Sequence, residues 1–374
     1  MAVREVVIAG AGVAGIEGLL RLRRLAGDRV RITLLSPEDE FVYRPLTVLE
    51  PFGRDGSRRY PLESLIAGTG ASHIRDRLVG VDASFRLVLT SDGRELHYDA
   101  LLVALGAGQS SPYLHVALFT DRNRGETFTS IVTDLDEQRV ESLAFVVPTG
   151  PVWTLPLYEL ALLTAHRAQA SALPVQLTFV TPESRPPQTF GWAASDAIER
   201  LLGNAGIALF AGEVADVPEP GRLRLRDGEL SADRIVALPR LIGAAVPGLP
   251  AGPGRFTPID EYCRVPGTEG RVFAAGDAAA FPVKHGGLAA QQSDVAAAGI
   301  AHLAGPVPHP EPLEPVVRGR LLTGDGPLYL VSSRTGGEEW SSDVHERRPW
   351  PVDDKVLAEE LGPCLRRLAV VPVT

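Results

Sequence analysis

Short apolar runs alternate with longer stretches of helical periodicity through most of this sequence. The runs have the length of buried strands, and the stretches between them place apolar residues three and four positions apart. Alternation of this kind is typical of an α/β fold built on parallel sheets. Strand is predicted at residues 30–35, 87–90, 101–104, 143–147, 175–180 and 235–239, and helix at residues 16–25, 157–170, 193–206 and 288–303.

The order of these elements predicts two Rossmann-like domains, each with three layers (ββα/βα), and a small C-terminal α+β unit. The first domain is discontinuous, because we expect the chain to return to it at about residue 231 after completing the second. The predicted limits are residues 1–118 with 231–305 for the first domain, 119–230 for the second and 306–374 for the C-terminal domain.

The C-terminal domain opens with a proline-rich linker at residues 306–315. A strand is predicted at residues 329–331 and a helix at residues 354–368. The helix carries leucines at helical spacing, and we expect this face to pack on the first domain or on a second copy of the chain. Contact with a membrane surface stays open and is not favoured.

A glycine motif follows the first apolar run. Gly10, Gly12 and Gly15 have the spacing G-x-G-x-x-G at a turn from strand into helix. The first glycine permits the tight turn, the second lets the backbone approach a pyrophosphate, and the third lets the helix pack on the strand. The helix N-terminus, at Val13 and Ala14, then offers N–H groups and partial positive charge to the phosphates. Alone, the motif is a weak indicator.

A second segment, far along the chain, indicates which dinucleotide is bound. Residues 271–277 form a short apolar strand that ends in Gly276 and Asp277, and together with the glycine motif this ending predicts FAD. Dinucleotide folds usually end their second strand on an acid that binds a ribose. Ser36-Pro37-Glu38 stands there instead, so whether Ser36 or Glu38 contacts the ribose stays open.

The second domain lacks a glycine motif. Its turn from strand into helix, residues 148–156, contains three prolines and Trp153. Proline removes N–H donors, and bulky side chains block the close approach of a phosphate to the backbone. We therefore expect a nucleotide fold that has lost its nucleotide.

With these motifs the sequence resembles the FAD-dependent pyridine nucleotide-disulfide oxidoreductase superfamily. The glycine motif, residues 98–107 (YDALLVALGA) and residues 272–277 (VFAAGD) carry the resemblance. Residues 41–46 (FVYRPL) and 281–289 (FPVKHGGLA) are similar to the branch of sulfide:quinone oxidoreductases and type II NADH:quinone dehydrogenases. The resemblance covers about residues 1–305.

The resemblance implies roles for individual residues. Asp277 would bond the ribityl chain of FAD, Gly106 would pack near the flavin, and Lys284 would lie beside the isoalloxazine. The helix after Gly287 would aim its N-terminus at the flavin and favour negative charge there. The expected cofactor contacts are Gly10, Gly12, Val13, Ala14, Gly15, Ser36, Pro37, Arg44, Leu78, Ala104, Gly106, Gly276, Asp277, Lys284, Gly287 and Leu288.

Lys284 and His285 are the candidate catalytic residues. Lys284 could tune the flavin as a point charge or lie solvated on the surface. His285 could relay a proton, although a lone histidine is more often structural.

Several neighbouring side chains also leave two readings open. Glu159 could be an acid of the site or an exposed helix charge. Gln291 and Gln292 could touch an acceptor or lie on the helix surface. Trp153 could form a wall of the substrate site or belong to the core.

Composition narrows the function classes. A net charge of −9 argues against nucleic-acid binding and against a polybasic membrane patch. With no apolar run long enough for a bilayer and no cleavable signal at the start, we expect a soluble cytoplasmic protein. The only cysteines, Cys263 and Cys364, form no C-x-x-C, which excludes a disulfide relay. No metal-binding spacing is present, so no metal is expected.

The leading hypothesis is an FAD-dependent oxidoreductase that transfers two electrons from an unidentified donor to an acceptor such as a quinone. The usual cysteine route for sulfide is not expected, and the glycine-free second turn argues against NADH. Two alternatives stay open: an NAD(P)H:quinone dehydrogenase with an atypical nucleotide loop, and a non-catalytic flavoprotein that is a sensor or a subunit of a larger complex. The expected partners are small molecules, and a homodimer is left open.

Overall fold

The computed structural model describes residues 3–120, 126–334 and 340–370. Within these ranges the strands are β1 (Arg4–Ala9), β2 (Val30–Leu35), β3 (Glu40–Tyr43), β4 (Arg58–Pro61), β5 (Ser72–Ile74), β6 (Leu78–Asp82), β7 (Leu87–Thr90), β8 (Glu95–His97), β9 (Ala100–Val103), β10 (Gly108–Ser110), β11 (Ala117–Leu118), β12 (Ser142–Val146), β13 (Gln176–Thr181), β14 (Ile207–Ala211), β15 (Asp216–Glu219), β16 (Arg222–Leu225), β17 (Gly228–Ser231), β18 (Arg234–Ala237), β19 (Arg240–Ile242), β20 (Val272–Ala274), β21 (Val316–Leu322), β22 (Pro327–Ser333) and β23 (Asp343–His345).

The α-helices are α1 (Val13–Ala26), α2 (Leu62–Ile66), α3 (Glu126–Asp136), α4 (Leu155–Ala170), α5 (Gly191–Asn204), α6 (Gly286–Leu303) and α7 (Leu361–Val370). Short 3-10 helices cover Gly27–Arg29, Thr47–Phe52, Gln188–Phe190, Pro253–Arg255 and Gly276–Ala278.

The first large sheet is parallel, with the strand order β20-β9-β1-β2-β5. On one face Ile8 of β1 is buried together with Leu19 of α1 and Ile300 of α6. On the other face Val7 is buried together with Val88 of the antiparallel sheet β6-β7-β8. Because both faces are covered, the strands β9 and β20 are apolar and buried throughout rather than alternating.

The second large sheet repeats this plan. It is parallel, with the order β11-β18-β12-β13-β14. Phe145 and Phe179 on one face pack in a cluster with Tyr158 of α4, and Val146 on the other face packs with Leu223 of the meander β15-β16-β17. The predicted α/β class with three-layered Rossmann-like units is confirmed.

One predicted strand lies in the other sheet. Residues 235–239 were expected to return to the first domain, but β18 pairs with β11 and β12 of the second sheet. An apolar run pairs equally well in either sheet, and only its long-range partners decide between them. The assignment of this strand is therefore wrong. The chain re-enters the first sheet at β20, and the other domain limits stay predictions.

The C-terminal unit is the antiparallel sheet β21-β22-β23 followed by α7. Val317 and Leu330 are buried in the same cluster as α4, so this sheet docks on the second unit. Helix α7 begins at Leu361 rather than at residue 354, because the carboxylate of Glu17 in α1 accepts the N–H of Leu361 at 2.6 Å and caps the helix there. Packing of this helix on the first domain is confirmed, with Leu365 in the cluster that includes α1.

Candidate active site

The N-termini of α1 and α6 converge on Gly276. A Cβ placed on Gly276 would lie 3.2 Å from the Cβ of Ala14 in α1 and 3.3 Å from the Cβ of Ala289 in α6. The φ of Gly276 is +72°, which favours glycine. Neither helix has an acidic residue in its first turn. Two partially positive helix ends therefore meet at one junction, and such a junction attracts an anion.

The glycine turn between β1 and α1 fits a pyrophosphate. Gly10 has φ +107° and donates its N–H to Leu35 O at 2.8 Å, and a Cβ there would overlap Ala104 O. Gly12 is exposed and is the N-cap of α1, and a Cβ on it would meet no atom within 4 Å. No side chain caps this helix end. The turn is closed against the protein at Gly10 and open at Gly12, as the phosphates of FAD require.

Gln292 fixes the second half of the junction, a role that the sequence pattern did not predict. The side chain is only 1% exposed, and its Oε1 accepts the N–H of Gly276 at 2.8 Å. Neither predicted reading, a helix-surface residue or an acceptor contact, anticipated this bond. A signal was present, because α6 is rich in alanine and glycine on nearly every side. In such a helix a polar residue is more often buried than its type suggests.

Gln291 joins α6 to the C-terminal sheet. Its amide nitrogen donates to Gly287 O at 3.0 Å and to Val316 O at 2.9 Å, and its Oε1 accepts the N–H of Val316 at 2.9 Å. The first residue of β21 is thereby held against the first turn of α6.

Lys284 is buried, so its reading as a solvated surface lysine is wrong. The side chain is 4% exposed, and Nζ donates to Asp277 O at 3.2 Å and to Ala279 O. Nζ also lies 3.6 Å from the centroid of the Phe256 ring. Burial lowers the pKa of Lys284 to about 8, and the charge of Asp277 opposes this shift. Contact of Lys284 with the isoalloxazine stays a prediction.

His285 is the N-cap residue of α6, and its ring contacts that of Trp153 from the second unit at an interplanar angle of 40°. The two ring centroids are 4.6 Å apart, and both residues are half-buried. Burial and the charges of Lys355 and Arg318 lower the pKa of His285 to about 4. The ring is therefore neutral at pH 7. Its Nδ1 atom is buried and has no hydrogen-bond partner among the described residues.

A segment of the C-terminal unit closes over this junction. The N–H of Val356 donates to Tyr43 Oη at 3.1 Å, and a Cβ on Gly286 would lie 2.9 Å from Val356 Cγ2. Next to it, Lys355 Nζ donates to Glu159 Oε2 at 2.6 Å. Glu159 is fully buried, so its reading as an exposed helix charge is wrong. Residues of β3, α4 and α6 thus meet at residues 355–356.

Ser36 and Glu38, at the end of β2, both remain candidates for the residue that contacts the ribose of FAD. Ser36 is buried, and its Oγ accepts the N–H of Glu38 at 3.3 Å. The backbone of Ser36 is held by His73, whose Nε2 lies 3.0 Å from Ser36 O. Glu38 is exposed. Which of the two contacts the ribose stays a prediction.

The remaining predicted contacts flank the junction or lie on neighbouring elements, and their roles stay predictions. Leu288 is buried in the core shared with the second sheet. Arg44 is exposed after β3, Pro37 is half-buried after Ser36, and Leu78 is half-buried at the start of β6. The structure places the others near the two helix N-termini or at the end of β9: Val13, Ala14, Gly15, Ala104, Gly106, Gly276, Asp277 and Gly287.

Neither a metal cluster nor a membrane span occurs in residues 3–120, 126–334 and 340–370. No group of three His, Cys, Asp or Glu side chains there could hold a metal ion. No helix there is both long enough and apolar enough to cross a bilayer.

The two sheets and the helix junction define a dinucleotide-binding fold suited to a flavin. The sequence profile of a family described as pyridine nucleotide-disulphide oxidoreductase matches residues 4–299. The chain belongs to this family of flavin-dependent oxidoreductases, which confirms the predicted superfamily and the prediction of FAD.

Relatives come from both predicted branches. A sulfide-quinone reductase of Aquifex aeolicus is 27% identical over 247 residues, which cover 60% of this chain and 54% of the relative. An NADH dehydrogenase-like protein of Mycobacterium tuberculosis (strain CDC 1551 / Oshkosh) is 25% identical over 296 residues, 74% of this chain and 73% of the relative. The match thus spans about half the length of the Aquifex protein.

Solved structures agree on the fold. The sulfide:quinone oxidoreductase of Aquifex aeolicus superposes with a TM-score of 0.79 at 21% identity, covering 92% of this chain and 87% of that one. A ferredoxin reductase from Rhodopseudomonas palustris superposes with a TM-score of 0.67, also at 21% identity, covering 92% and 88%.

Proposed function

We propose that this chain is an FAD-dependent oxidoreductase that passes two electrons from a donor other than NAD(P)H to an acceptor such as a quinone. The observation that carries the proposal concerns the strand-to-helix turn of the second unit, residues 148–156. Arg240 and Leu241 of the protein itself form hydrogen bonds to this turn, where a nucleotide phosphate would otherwise bind. The first unit supports FAD, because its helix junction is open at Gly12 and lacks acids in the first turns of α1 and α6.

The turn at residues 148–156 is tied to β19. Arg240 Nε donates to Thr149 O at 2.9 Å, and its Nη2 donates to Thr149 Oγ1 at 3.2 Å. The N–H of Leu241 donates to Pro151 O at 2.9 Å. A nucleotide phosphate needs free backbone N–H groups at this turn, and the prolines remove some of them. Trp153 adds bulk by packing 5.8 Å from Phe190 as well as on His285.

The acid that follows the second strand of this unit, Glu183, also forms hydrogen bonds within the protein. Glu183 accepts from Tyr158 Oη at 2.8 Å, from Thr181 Oγ1 at 3.1 Å and from the N–H of Gln188 at 3.0 Å. In dinucleotide folds an acid in this place binds the adenosine ribose. Here a ribose would have to displace these bonds, which supports a donor other than NAD(P)H.

Sulfide oxidation through a cysteine relay is not part of the proposal. Cys263 is fully buried, and burial raises the pKa of its thiol to about 12, whereas a reactive cysteine needs a lowered pKa. Cys364 is buried on α7. The sequence contains no third cysteine.

The chain's own groups set the electrostatics of the reaction. FAD, when bound, would supply the two-electron chemistry. The N-terminus of α6 favours negative charge at the junction by about 0.3–2 kcal/mol. Lys284, with a pKa near 8, carries mostly positive charge at pH 7 and adds to this effect. Trp153 contacts His285, and Val356 packs on Gly286, so both side chains lie against the start of α6.

An NAD(P)H:quinone dehydrogenase is the second candidate. It is favoured by the NADH dehydrogenase-like relative, whose match covers 74% of this chain. It would require the turn at residues 148–156 to release Arg240 when the nucleotide binds. The cytoplasmic location, the homodimer and contact with a membrane surface stay predictions, as does the restriction to small-molecule partners.

Anaerobic stopped-flow absorbance of the purified holoprotein tests the proposal. We expect NADH and NADPH to leave the oxidised flavin bands unchanged. We expect flavin that has been reduced with dithionite to be reoxidised by a soluble quinone, which serves as the control for a competent site. Rapid, saturable bleaching by NADH would overturn the proposal in favour of the second candidate. Dithionite-reduced flavin that no quinone reoxidises would contradict the proposed acceptor.

A further inference from the structure

Arg318 lies on β21 beside the N-terminus of α6. Gln291 of α6 holds the first residue of β21 by two hydrogen bonds to the backbone of Val316. Val317 and Leu321 are fully buried in the core shared with α4. Because side chains alternate along a strand, Arg318 lies on the opposite face. That face is close enough to His285 for the charge of Arg318 to lower the pKa of the imidazole.

The guanidinium of Arg318 has no partner within the described part of the chain. Among the described arginines, those that form neither a side-chain hydrogen bond nor an ion pair are exposed, with the exception of Arg318. Arg318 is half-buried. Arg320, two residues further along the same face, pairs with Asp353 at 3.2 Å. The nitrogens of Arg318 retain contact with solvent, so a ligand can reach them.

An unpaired, partly buried guanidinium is costly, because an arginine cannot lose its proton and burial removes part of its hydration. An anion that binds there would offset this cost. The acids at the junction are already engaged, Glu159 with Lys355 and Asp353 with Arg320. The first turn of α6 has no acidic residue. Arg318 is therefore a cation that no acid of the described residues pairs with, in a protein whose net charge is −9.

We propose that Arg318 binds the carboxylate of an anionic substrate beside His285 and Trp153. This inference rests on the proposed function, because it names the substrate class of the same site. A planar guanidinium and a carboxylate form two parallel hydrogen bonds, which fixes orientation as well as affinity. The half-buried rings of Trp153 and His285, in contact at an interplanar angle of 40°, add an aromatic surface at the same junction. An aromatic carboxylate matches both features.

Calorimetric titration of the oxidised holoprotein with benzoate tests the inference, and benzamide serves as the uncharged ligand of the same shape. We expect benzoate to bind about tenfold or more tightly than benzamide, the difference typical of a charge-assisted hydrogen bond. We expect Arg318→Gln to weaken benzoate binding to the level of benzamide and leave benzamide unchanged. Arg318→Lys should fall between, because lysine keeps the charge and loses the planar fork.

Arg200→Gln is the matched control, because Arg200 is an exposed arginine of α5 and the variant changes the net charge equally. We expect it to bind benzoate as the wild type does. Comparable melting temperatures for the two glutamine variants show that Arg318→Gln is folded.

Three results would overturn the inference: equal affinities for benzoate and benzamide, unchanged benzoate affinity in Arg318→Gln, or no measurable binding of benzoate. A variant with a shifted flavin spectrum and unchanged benzoate affinity would mean that Arg318 contacts the cofactor instead, which also overturns it. The titration needs no turnover. A holoprotein that NADH reduces would therefore refute the proposed function and leave the result on Arg318 standing.

Discussion

Methionine in place of Lys355 is expected to destabilise the protein strongly, because it leaves Glu159 buried without its cation. Glu159 has 0% and Lys355 10% side-chain exposure, and their charged atoms are 2.6 Å apart. The other oxygen of Glu159 accepts the N–H of Leu322 at 3.1 Å, so the carboxylate is fixed in place. Removing one partner of such a buried pair costs about 3–5 kcal/mol of unfolding free energy. Methionine keeps the unbranched apolar stem of the side chain and removes the ammonium group, so the loss mainly reports the charge.

The size of this loss will depend on pH. Burial already raises the pKa of Glu159, and the charge of Lys355 counteracts that rise. In Lys355→Met the pKa of Glu159 rises further. A carboxyl group with a raised folded-state pKa contributes its full stability below the ordinary pKa of glutamate, and this contribution is lost as the pH rises through the folded-state pKa. The deficit should therefore be small near pH 4–5 and grow by up to about 1.4 kcal/mol per pH unit above that range.

Denaturant unfolding at pH 5 and pH 8 checks this with four proteins: wild type, Lys355→Met, Glu159→Gln and the double variant. FAD is held at one concentration, because a bound ligand itself stabilises the fold. We expect the double variant to recover to within about 1 kcal/mol of wild type at pH 8, since neither charge then lacks a partner. A loss in Lys355→Met that is equal at both pH values, or additive effects in the double variant, would refute the argument.

The remaining predictions concern the cofactor junction and α7. Gly10→Ala is expected to yield unstable protein without flavin, because its Cβ would overlap Ala104 O, whereas Gly12→Ala should keep the circular dichroism of the wild type and lose only the yellow colour. Gln292→Leu leaves the buried N–H of Gly276 without an acceptor, so the Kd for FAD should rise about 5- to 150-fold. Gln292→Glu keeps an acceptor and is the control. An unchanged Kd in both variants would contradict this prediction. Burial and the charge of Glu17 raise the pKa of Asp294 to about 8, so the wild-type protein loses stability as the pH rises toward 8. The melting temperature of Asp294→Asn should therefore be higher than that of the wild type at pH 9 and nearly equal to it at pH 4. A difference in melting temperature that does not grow with pH would contradict this prediction.

The local hydrophobic periodicity of the sequence was sufficient to predict most of the strands and helices. The strands at Val30–Leu35 and Leu87–Thr90 have the predicted bounds, and helices α4 and α5 begin two residues earlier than expected. Each of these elements is a mainly apolar run of the length of a strand or of a helix, so the local pattern identifies it. The glycine turn was equally accessible, because the G-x-G-x-x-G spacing is a local pattern. The atoms that contact Gly10, Leu35 O and Ala104 O, lie far from it in the sequence. Assignment of β18 failed because its partners are distant strands.

The candidate site was less predictable, because its polar groups meet over long sequence distances. Glu159 and Lys355 are 196 residues apart, so neither pattern reveals the other. The one available signal was local: α4 is buried along most of its length, and a carboxylate inside such a helix needs a partner. Arg318 gave no signal, since an arginine in a strand is ordinarily a solvent-facing residue.

The C-terminal unit therefore has two roles, in stability and in the candidate site, and the same residues serve both. Its sheet buries Val317 and Leu330 against α4, which stabilises the second unit. The same docking brings Arg318 toward His285, places Lys355 on Glu159 and brings residues 355–356 over the first turn of α6. Because one set of contacts serves both purposes, a substitution that loosens this docking should change the affinity for anions as well as the stability. The Lys355→Met variant at pH 8 is thus expected to bind benzoate more weakly than at pH 5, although Arg318 itself is unchanged.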